Sequence, residues 1–360
     1  MEVSRETHFL LEQGRFVAAL GFTKARSMGP VAEAVERAGG SVARVFRKAE
    51  LPLRLIEEPE QLILLRDQLV LVEHAARELD DHALPLRLST QAGMEGLGLF
   101  GRRVRTAPTL ENAIERCNFG IQSMLQSMTR MDLKQTEGSA ARLAAWTYEI
   151  LDEAPVGRQK NELLAFGYMI STLKHFGAGA PLRVTLPRKP PERTALEDLL
   201  GCEIATGEKA ALVFRAECLC NPNPAGVDPD DARIDDMPSP TDFSAAVERL
   251  VELALLERRP TIDAVRRRLA LSARSLQRRL AEEGESFDAI RRRVVLGKAR
   301  TRLSDGATPI TQIAYELGYS DAAHFSRAFA AWTGESPRAW RRAALARACE
   351  AGLPPLGRRP

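Results

Sequence analysis

The run Thr308-Pro-Ile310-Thr-Gln-Ile313-Ala-Tyr-Glu-Leu317-Gly318-Tyr-Ser320-Asp-Ala-Ala-His-Phe325-Ser-Arg-Ala-Phe329-Ala-Ala-Trp332 decides how the end of this chain folds. Ile310, Ile313, Ala314 and Leu317 recur at helical spacing, which predicts a helix of about two turns with one apolar face. Thr308 is placed to cap it, with Pro309 at the first helical position, where a missing N–H costs nothing. Gly318 can take the positive φ that ends the helix. Ser320 then reads as the cap of a second helix, with Asp321 in the first turn, where the helix dipole favours an acid. Phe325, Phe329 and Trp332 give that helix its apolar stripe. Two short helices joined through a glycine-containing turn form a helix-turn-helix, whose second helix enters a DNA major groove.

The pattern occurs twice. Val265-x3-Leu269-x-Leu271-Ser272 returns as Ile313-x3-Leu317-x-Tyr319-Ser320, Leu276-x3-Leu280 as Phe325-x3-Phe329, and Gly284-Glu-Ser286 as Gly334-Glu-Ser336. Self-similarity of this kind marks two copies of one supersecondary unit. In the earlier copy Thr261 caps one helix, Ser272 caps the next and Gly284 closes it, so the units are expected at 261–283 and 309–332. Opposite the apolar stripes stand Arg274, Ser275, Gln277 and Arg278 in the first copy, and Ala322, Ala323, His324, Ser326 and Arg327 in the second. Arginine can bond guanine bidentately, glutamine can pair with adenine, and alanine can meet a thymine methyl. Residues 287–303 lie between the copies without a proline and carry Ile290, Val294, Val295, Ala299 and Leu303 at helical spacing. A rod of about 25 Å follows at ~1.5 Å per residue. It suits recognition helices held about one DNA turn apart.

Charge agrees with that reading. The chain of 360 residues has a formal net charge of +3, but 241–347 holds 20 Lys/Arg against 13 Asp/Glu, a balance of +7, and the first 240 residues stand at −5. A basic end on an acidic chain is a footprint for a polyanion. At 44% hydrophobic and 28% charged the chain can bury a sizeable core, and its length suggests more than one domain. No apolar run is long enough to span a bilayer, and the charged first twenty residues do not resemble a signal peptide. The five cysteines, Cys117, Cys202, Cys218, Cys220 and Cys349, follow no metal spacing. A reduced, cytoplasmic protein with no metal, no cofactor and no catalytic residue is expected.

Residues 221–241 contain five prolines and five aspartates and read as an extended linker, since prolines remove backbone donors and the acids repel one another. The preceding part reads as α+β, with helices over 30–48, 61–79, 109–129 and 158–176 and strands over 141–151, 182–186 and 210–214. The expected fold is therefore multi-domain. An α+β regulatory domain (1–220) and the linker precede an all-α double helix-turn-helix domain (242–345) and a tail (346–360).

Here the residues match a family. Leu303-Ser-x-Gly306-x-x-Pro309-Ile-x-x-Ile313-Ala-x-x-Leu317-Gly-Tyr-Ser320, then Phe325-Ser-Arg-Ala-Phe329, Gly334-x-Ser336-Pro337 and Trp340-Arg341 closely resemble the AraC/XylS signature, and the match reaches back through Ser272-x3-Leu276-Gln-Arg278. The resemblance covers about 100 residues. It implies base contacts by Arg274, Gln277 and Arg278, then Ala322 and Arg327, with Ser275, His324 and Ser326 beside them. Small Ala322 and Ala323 stand where some relatives carry amides, which shifts the second copy towards shape and phosphate recognition. The layout of the N-terminal part resembles the arabinose-binding type of regulatory domain in the ornithine-utilisation-regulator-like subgroup, whose members are similar in sensing a small molecule and dimerising. The resemblance thus implies promoter DNA, RNA polymerase, a small-molecule effector and a second copy of the chain as partners of an activator or repressor, and no membrane.

Alternatives stay open at this stage. Gly96-Leu-Gly98-Leu-Phe-Gly101 fits a dinucleotide-binding pattern, but no core strand precedes it and no acid follows about twenty residues on, so a turn is expected. The stripe from Leu110 to Met128 suits a core helix or a dimer face. Trp146, Tyr148, Phe166, Tyr168 and His175 could line an effector pocket or merely pack. His324 reads as a surface residue rather than a metal ligand, and Arg291-Arg-Arg293 as a phosphate contact or a solvated face. The alternative to a metabolite as the controlling signal is a protein partner. A DNA-repair methyltransferase sharing this module would need an activated cysteine, and none has a nearby histidine or a Cys-x2-Cys frame.

Overall fold

The computed structural model describes residues 20–137, 142–152, 156–228 and 237–350. The leader reading of the first residues, the centre of the linker (229–236) and the tail beyond 350 lie outside the described residues. The chain divides between Thr241 and Asp242 into two compact units. The first is α+β and the second all-α.

In the first unit β1 (Phe22–Lys24) pairs antiparallel with β2 (Leu62–Leu64). A five-stranded sheet holds β3 (Thr129–Glu137), β4 (Arg142–Ile150), β5 (Arg183–Leu186), β6 (Ile204–Thr206) and β7 (Ala210–Arg215) in the order β3-β4-β7-β5-β6. Only the β5–β6 pair is parallel. Alternate β4 residues Ala144, Trp146, Tyr148 and Ile150 are buried, as expected of a strand with one covered face. β7 is buried continuously from Ala210 to Phe214 and takes the central place. β3 is an edge strand carrying Arg130, Asp132 and Lys134, charges that discourage edge-to-edge pairing.

Among the described residues eight α-helices accompany these strands: α1 (Val31–Arg37), α2 (Val42–Lys48), α3 (Leu65–Glu78), α4 (Leu84–Ala92), α5 (Gly98–Arg105), α6 (Leu110–Met124), α7 (Arg158–His175) and α8 (Arg193–Leu200). The single helix expected over 30–48 is two. The chain turns at Gly39 (φ +77°), and Ser41 caps α2 by accepting the Arg44 N–H at 3.3 Å. The helix expected over 61–79 starts only at Leu65, because Leu62–Leu64 pairs with β1. The stripe of α6 is core, with Leu110, Ala113, Ile114, Cys117, Ile121 and Met124 all buried. The turn expected at 96–101 is instead largely helical, since α5 starts at Gly98, and the run serves close packing: a Cβ on Gly101 would collide with the Met94 carbonyl oxygen. Helix α7 is buried on nearly every side and crosses α4 at Gly167, where a Cβ would collide with the Ser89 hydroxyl.

Residues 221–228, read from sequence as the start of a linker, are held against this unit. Asn221 Nδ2 donates to the Phe176 carbonyl at 2.8 Å, and Asn223 Nδ2 donates to the carbonyls of Arg105 and Ala107 at 2.6 and 2.7 Å.

The second unit consists of α9 (Phe243–Leu256), α10 (Ile262–Arg268), α11 (Ala273–Glu282), α12 (Phe287–Ser304), α13 (Ile310–Glu316), α14 (Ala322–Thr333) and α15 (Pro337–Glu350). The central rod α12 buries Ile290, Val294, Val295, Ala299 and Leu303 and packs against α9, α13 and α15. At 18 residues it is about 27 Å long. Residues 346–350, expected as tail, continue α15.

Candidate nucleic-acid interface and an internal cavity

Each helix-turn-helix is built by burying one stripe and leaving the opposite face to solvent. In the first, Val265, Leu276 and Leu280 are fully covered; in the second, Ile313, Phe325 and Phe329 are. The rings of Phe325 and Phe329 lie 5.8 Å apart, and Phe329 meets Trp340 of α15 edge-on at 6.1 Å, an arrangement aromatic quadrupoles favour. Thr261 Oγ1 accepts the Ala264 N–H at 3.3 Å and Ser272 Oγ accepts the Ser275 N–H at 3.0 Å. These caps start α10 and α11.

Two expected caps are corrected. Thr308 does not cap α13: the cap position is Pro309, which offers no side-chain bond. The Thr308 carbonyl instead accepts from Arg341 at 2.5 Å. The cap of α14 is Asp321, not Ser320; its carboxylate accepts the His324 N–H at 2.7 Å. That backbone bond holds the Asp321 carboxyl below its ordinary value, with smaller help from Ser320 and Arg327. A carboxylate at a helix N-terminus gains from the dipole as well as from the bond.

The sequence-predicted contact residues divide by exposure. On α11, Arg274, Gln277 and Arg278 are exposed and Ser275 is half-buried. Their i, i+3, i+4 spacing puts the three long side chains on one face. Arg274 and Gln277 make no hydrogen bond or ion pair with the described residues, and Arg278 has only a loose contact with Glu282 at 3.7 Å, both side chains being exposed. On α14, His324 and Arg327 are exposed, while Ala322 and Ser326 are half-buried. The His324 ring stands edge-on to Tyr319 at 5.3 Å, and no group of three or more potential metal ligands occurs among the described residues.

The Arg291-Arg-Arg293 run is partly committed within the protein. Arg293 donates to Glu248 on α9 at 2.9 and 3.1 Å and to Glu285 at 2.9 Å, so it braces the rod. Those carboxylates raise its already high pKa.

A second feature lies wholly within the first unit. A cavity of about 40 Å³ opens where α7 and the sheet meet the chain's first turns. Trp146, Tyr148 and Tyr168 line it. Phe166 instead packs edge-on against Trp146 at 6.5 Å, and His175 sits elsewhere beside Asn223. Polar side chains unflagged by the sequence complete the wall. The Ser27 hydroxyl donates to the Gln68 side-chain oxygen, and Gln68 Nε2 donates to Asn161 Oδ1 at 2.8 Å. Asn161 Nδ2 and Gln126 Nε2 each donate to the Tyr148 oxygen at 2.7 Å. Burial pushes the Tyr148 phenol up to about 12 and raises that of Tyr168 strongly. The Tyr168 hydroxyl is buried with no partner among the described residues. One signal for these residues was available: Leu163, Leu164, Phe166, Met169, Ile170 and Leu173 occupy all faces of α7. A helix apolar all round is engulfed, and its polar residues go inside with it.

The cysteines show no activated thiol among the shifts resolved: burial pushes Cys117 up to about 12 and raises Cys202, the opposite of nucleophile activation. No helix of the described residues is long and apolar enough to cross a membrane.

Comparison with known proteins follows the same division. The profile described as the arabinose-binding domain of AraC transcription regulator matches residues 39–223, and a helix-turn-helix profile matches 265–343. The chain is 25% identical over 309 residues to the HTH-type transcriptional regulator VirS of Mycobacterium tuberculosis, covering 82% of this chain and 89% of that protein. It is 34% identical over 84 residues to the ornithine utilization regulator of Pseudomonas aeruginosa, covering 23% and 25%. Among solved structures, transcriptional regulator CdpR from Pseudomonas aeruginosa aligns at 20% identity over 72% of this chain and 87% of its own, with a TM-score of 0.32.

Proposed function

This chain belongs to the AraC/XylS family of transcription regulators, and we propose that it reads promoter DNA through Arg274, Gln277 and Arg278 of α11 and His324 and Arg327 of α14, under control of a small molecule bound by its first unit. Ser275, Ala322 and Ser326 complete the proposed DNA surface. In this reading residues 1–220 bind the effector and dimerise, 221–241 connect and 242–345 hold DNA, with RNA polymerase and a second copy as partners. The carrying observation is the pair of helical units whose second helices are each capped by a side chain and whose exposed faces present side chains with bonding capacity unused among the described residues.

Footprinting the full chain on its own upstream region tests the DNA half. Arg278→Ala is expected to cost about 1–3 kcal/mol at one base pair and to relax preference there. Unchanged affinity and preference in a folded variant refute the assignment. For the effector half, a thermal-shift screen of the full chain against amino acids, polyamines, fatty acids, sugars and small neutral ketones and lactones is expected to give at least one stabilising class.

A further inference from the structure

We infer that the cavity beside α7 is the effector's seat and that it takes a small uncharged molecule, an apolar body with one oxygen that accepts a hydrogen bond from Tyr168. The inference rests on the effector reading above and adds the chemistry of the ligand.

The Tyr168 hydroxyl carries the case. Its residue lines the cavity and is 6% exposed, and the hydroxyl has no hydrogen-bond partner among the described residues. Buried polar atoms are almost always paired, and an orphan in a native interior marks strain or a missing partner. Beside the hydroxyl is Gly29, where a Cβ would approach it to 3.2 Å. Gln68, Asn161 and Gln126 are already bonded to one another or to the Tyr148 oxygen. The Tyr168 O–H keeps a proton to donate, which an acceptor oxygen on the ligand would take.

The wall also rules on charge. Its side chains are amides, hydroxyls, aromatic rings, aliphatics, thioethers and one thiol, with no acid, lysine or arginine among them. A carboxylate or ammonium entering here gives up hydration with no counter-charge to offset the loss. A neutral ketone, lactone or ether loses far less and recovers part of it from Tyr168. Size sets the last limit. About 40 Å³ holds roughly two or three waters, so a ligand must displace wall atoms. Met94, Met131 and Met169 line the cavity, and methionine side chains re-pack readily.

The test uses the full chain and matched probes: 2-butanone and cyclohexanone against butyrate, cyclohexanecarboxylate and cyclohexylamine, followed by saturation-transfer NMR and thermal shift. The ketones are expected to bind and raise Tm, and their charged counterparts to do neither. Tyr168→Phe should bind the ketones about tenfold more weakly, the equivalent of one neutral hydrogen bond. The same variant should melt, ligand-free, at or above wild type, because no partner is left behind. A structural hydroxyl moves the other way and lowers Tm. Charged probes binding as well as ketones, ketones failing to bind, or wild-type ketone affinity in Tyr168→Phe each overturn the inference. A stabilising hit among the amino acids, polyamines or fatty acids then preserves the effector reading while this ligand class falls. No shift in either screen sinks both.

Discussion

Replacing Gly318 with alanine is expected to unseat the second helix-turn-helix, and Gly334 provides the control. Both glycines have φ +83°. A side chain at such a φ costs about 1–2 kcal/mol, and the offset from a stiffer unfolded chain, about 0.4–1 kcal/mol, is common to both. Space is what differs. At Gly318 a Cβ would stand 2.8 Å from the Arg258 carbonyl oxygen and 3.2 Å from Pro260 Cδ, whereas at Gly334 nothing lies within 4 Å. Because the nearest obstacle is backbone, the turn must shift as a body, and overpacking of this kind costs about 1–3 kcal/mol. The shift also disturbs the Arg258 guanidinium, 3.8 Å from the centre of the Tyr315 ring, a contact worth about 0.5–1 kcal/mol at an exposed site. Gly318→Ala should therefore lose about 1–4 kcal/mol more than Gly334→Ala. Calorimetric melting of the full chain, which follows each unit's transition, reads the difference at about 4 °C or more per kcal/mol. Operator affinity measured well below both melts should fall further in the first variant. Equal losses from the two substitutions would show that the contact with Arg258 carries no energy.

Two more outcomes follow from single side chains. Burial pushes the Glu162 carboxyl up to about 7 from an ordinary 4.5, against the pull of Arg158 and Arg188. Its folded value lies above the unfolded one, so the stability it contributes is whole below pH 4.5 and is lost as pH rises through about 7, on the order of 3 kcal/mol in all. Glu162→Gln should flatten the melting profile of the first unit between pH 5 and 8, and an unchanged profile would rule the residue out. In the second unit Thr261→Ala should cost about 1 kcal/mol by removing a cap, while Thr308→Ala should cost next to nothing. Equal effects in denaturant titrations would contradict the cap geometry.

The second unit was legible because its determinants are local. Spacing, a turn glycine and a capping residue recur within two dozen positions, twice, and each points to the same fold. Even there, sequence placed the cap of α14 one residue early. Ser320 and Asp321 are both able to cap, and only the backbone geometry chose the carboxylate. Less of the first unit was readable. β3 escaped because an edge strand with Arg130, Asp132 and Lys134 lacks the apolar run that marks a central strand such as β7. β1 and β2 are three residues each and exist through long-range pairing, with each other and, for β1, with Leu125 to Ser127. The cavity was half visible: the aromatic residues Trp146, Tyr148 and Tyr168 stood out, but Gln68, Gln126 and Asn161 did not, since a polar residue in a helix or turn is ordinarily assigned to solvent.

The unpartnered groups in the two units have one physical meaning. Several arginines of the second unit spend their bonding capacity inside it: Arg293 on Glu248 and Glu285, Arg266 on Asp263, Arg341 on the Thr308 carbonyl. Arg274 and, in the second copy, Arg327 make no such bond with the described residues. In the first unit an amide and hydroxyl chain is satisfied from Ser27 to Tyr148, and Tyr168 beside it is left over. An exposed arginine in water costs nothing, so its freedom alone is weak evidence. A buried hydroxyl without a partner costs about 1–3 kcal/mol. That cost argues more strongly for a missing ligand than the free arginines argue for DNA. The nucleic-acid surface rests on a repeated, capped architecture; the ligand site rests on one costly atom.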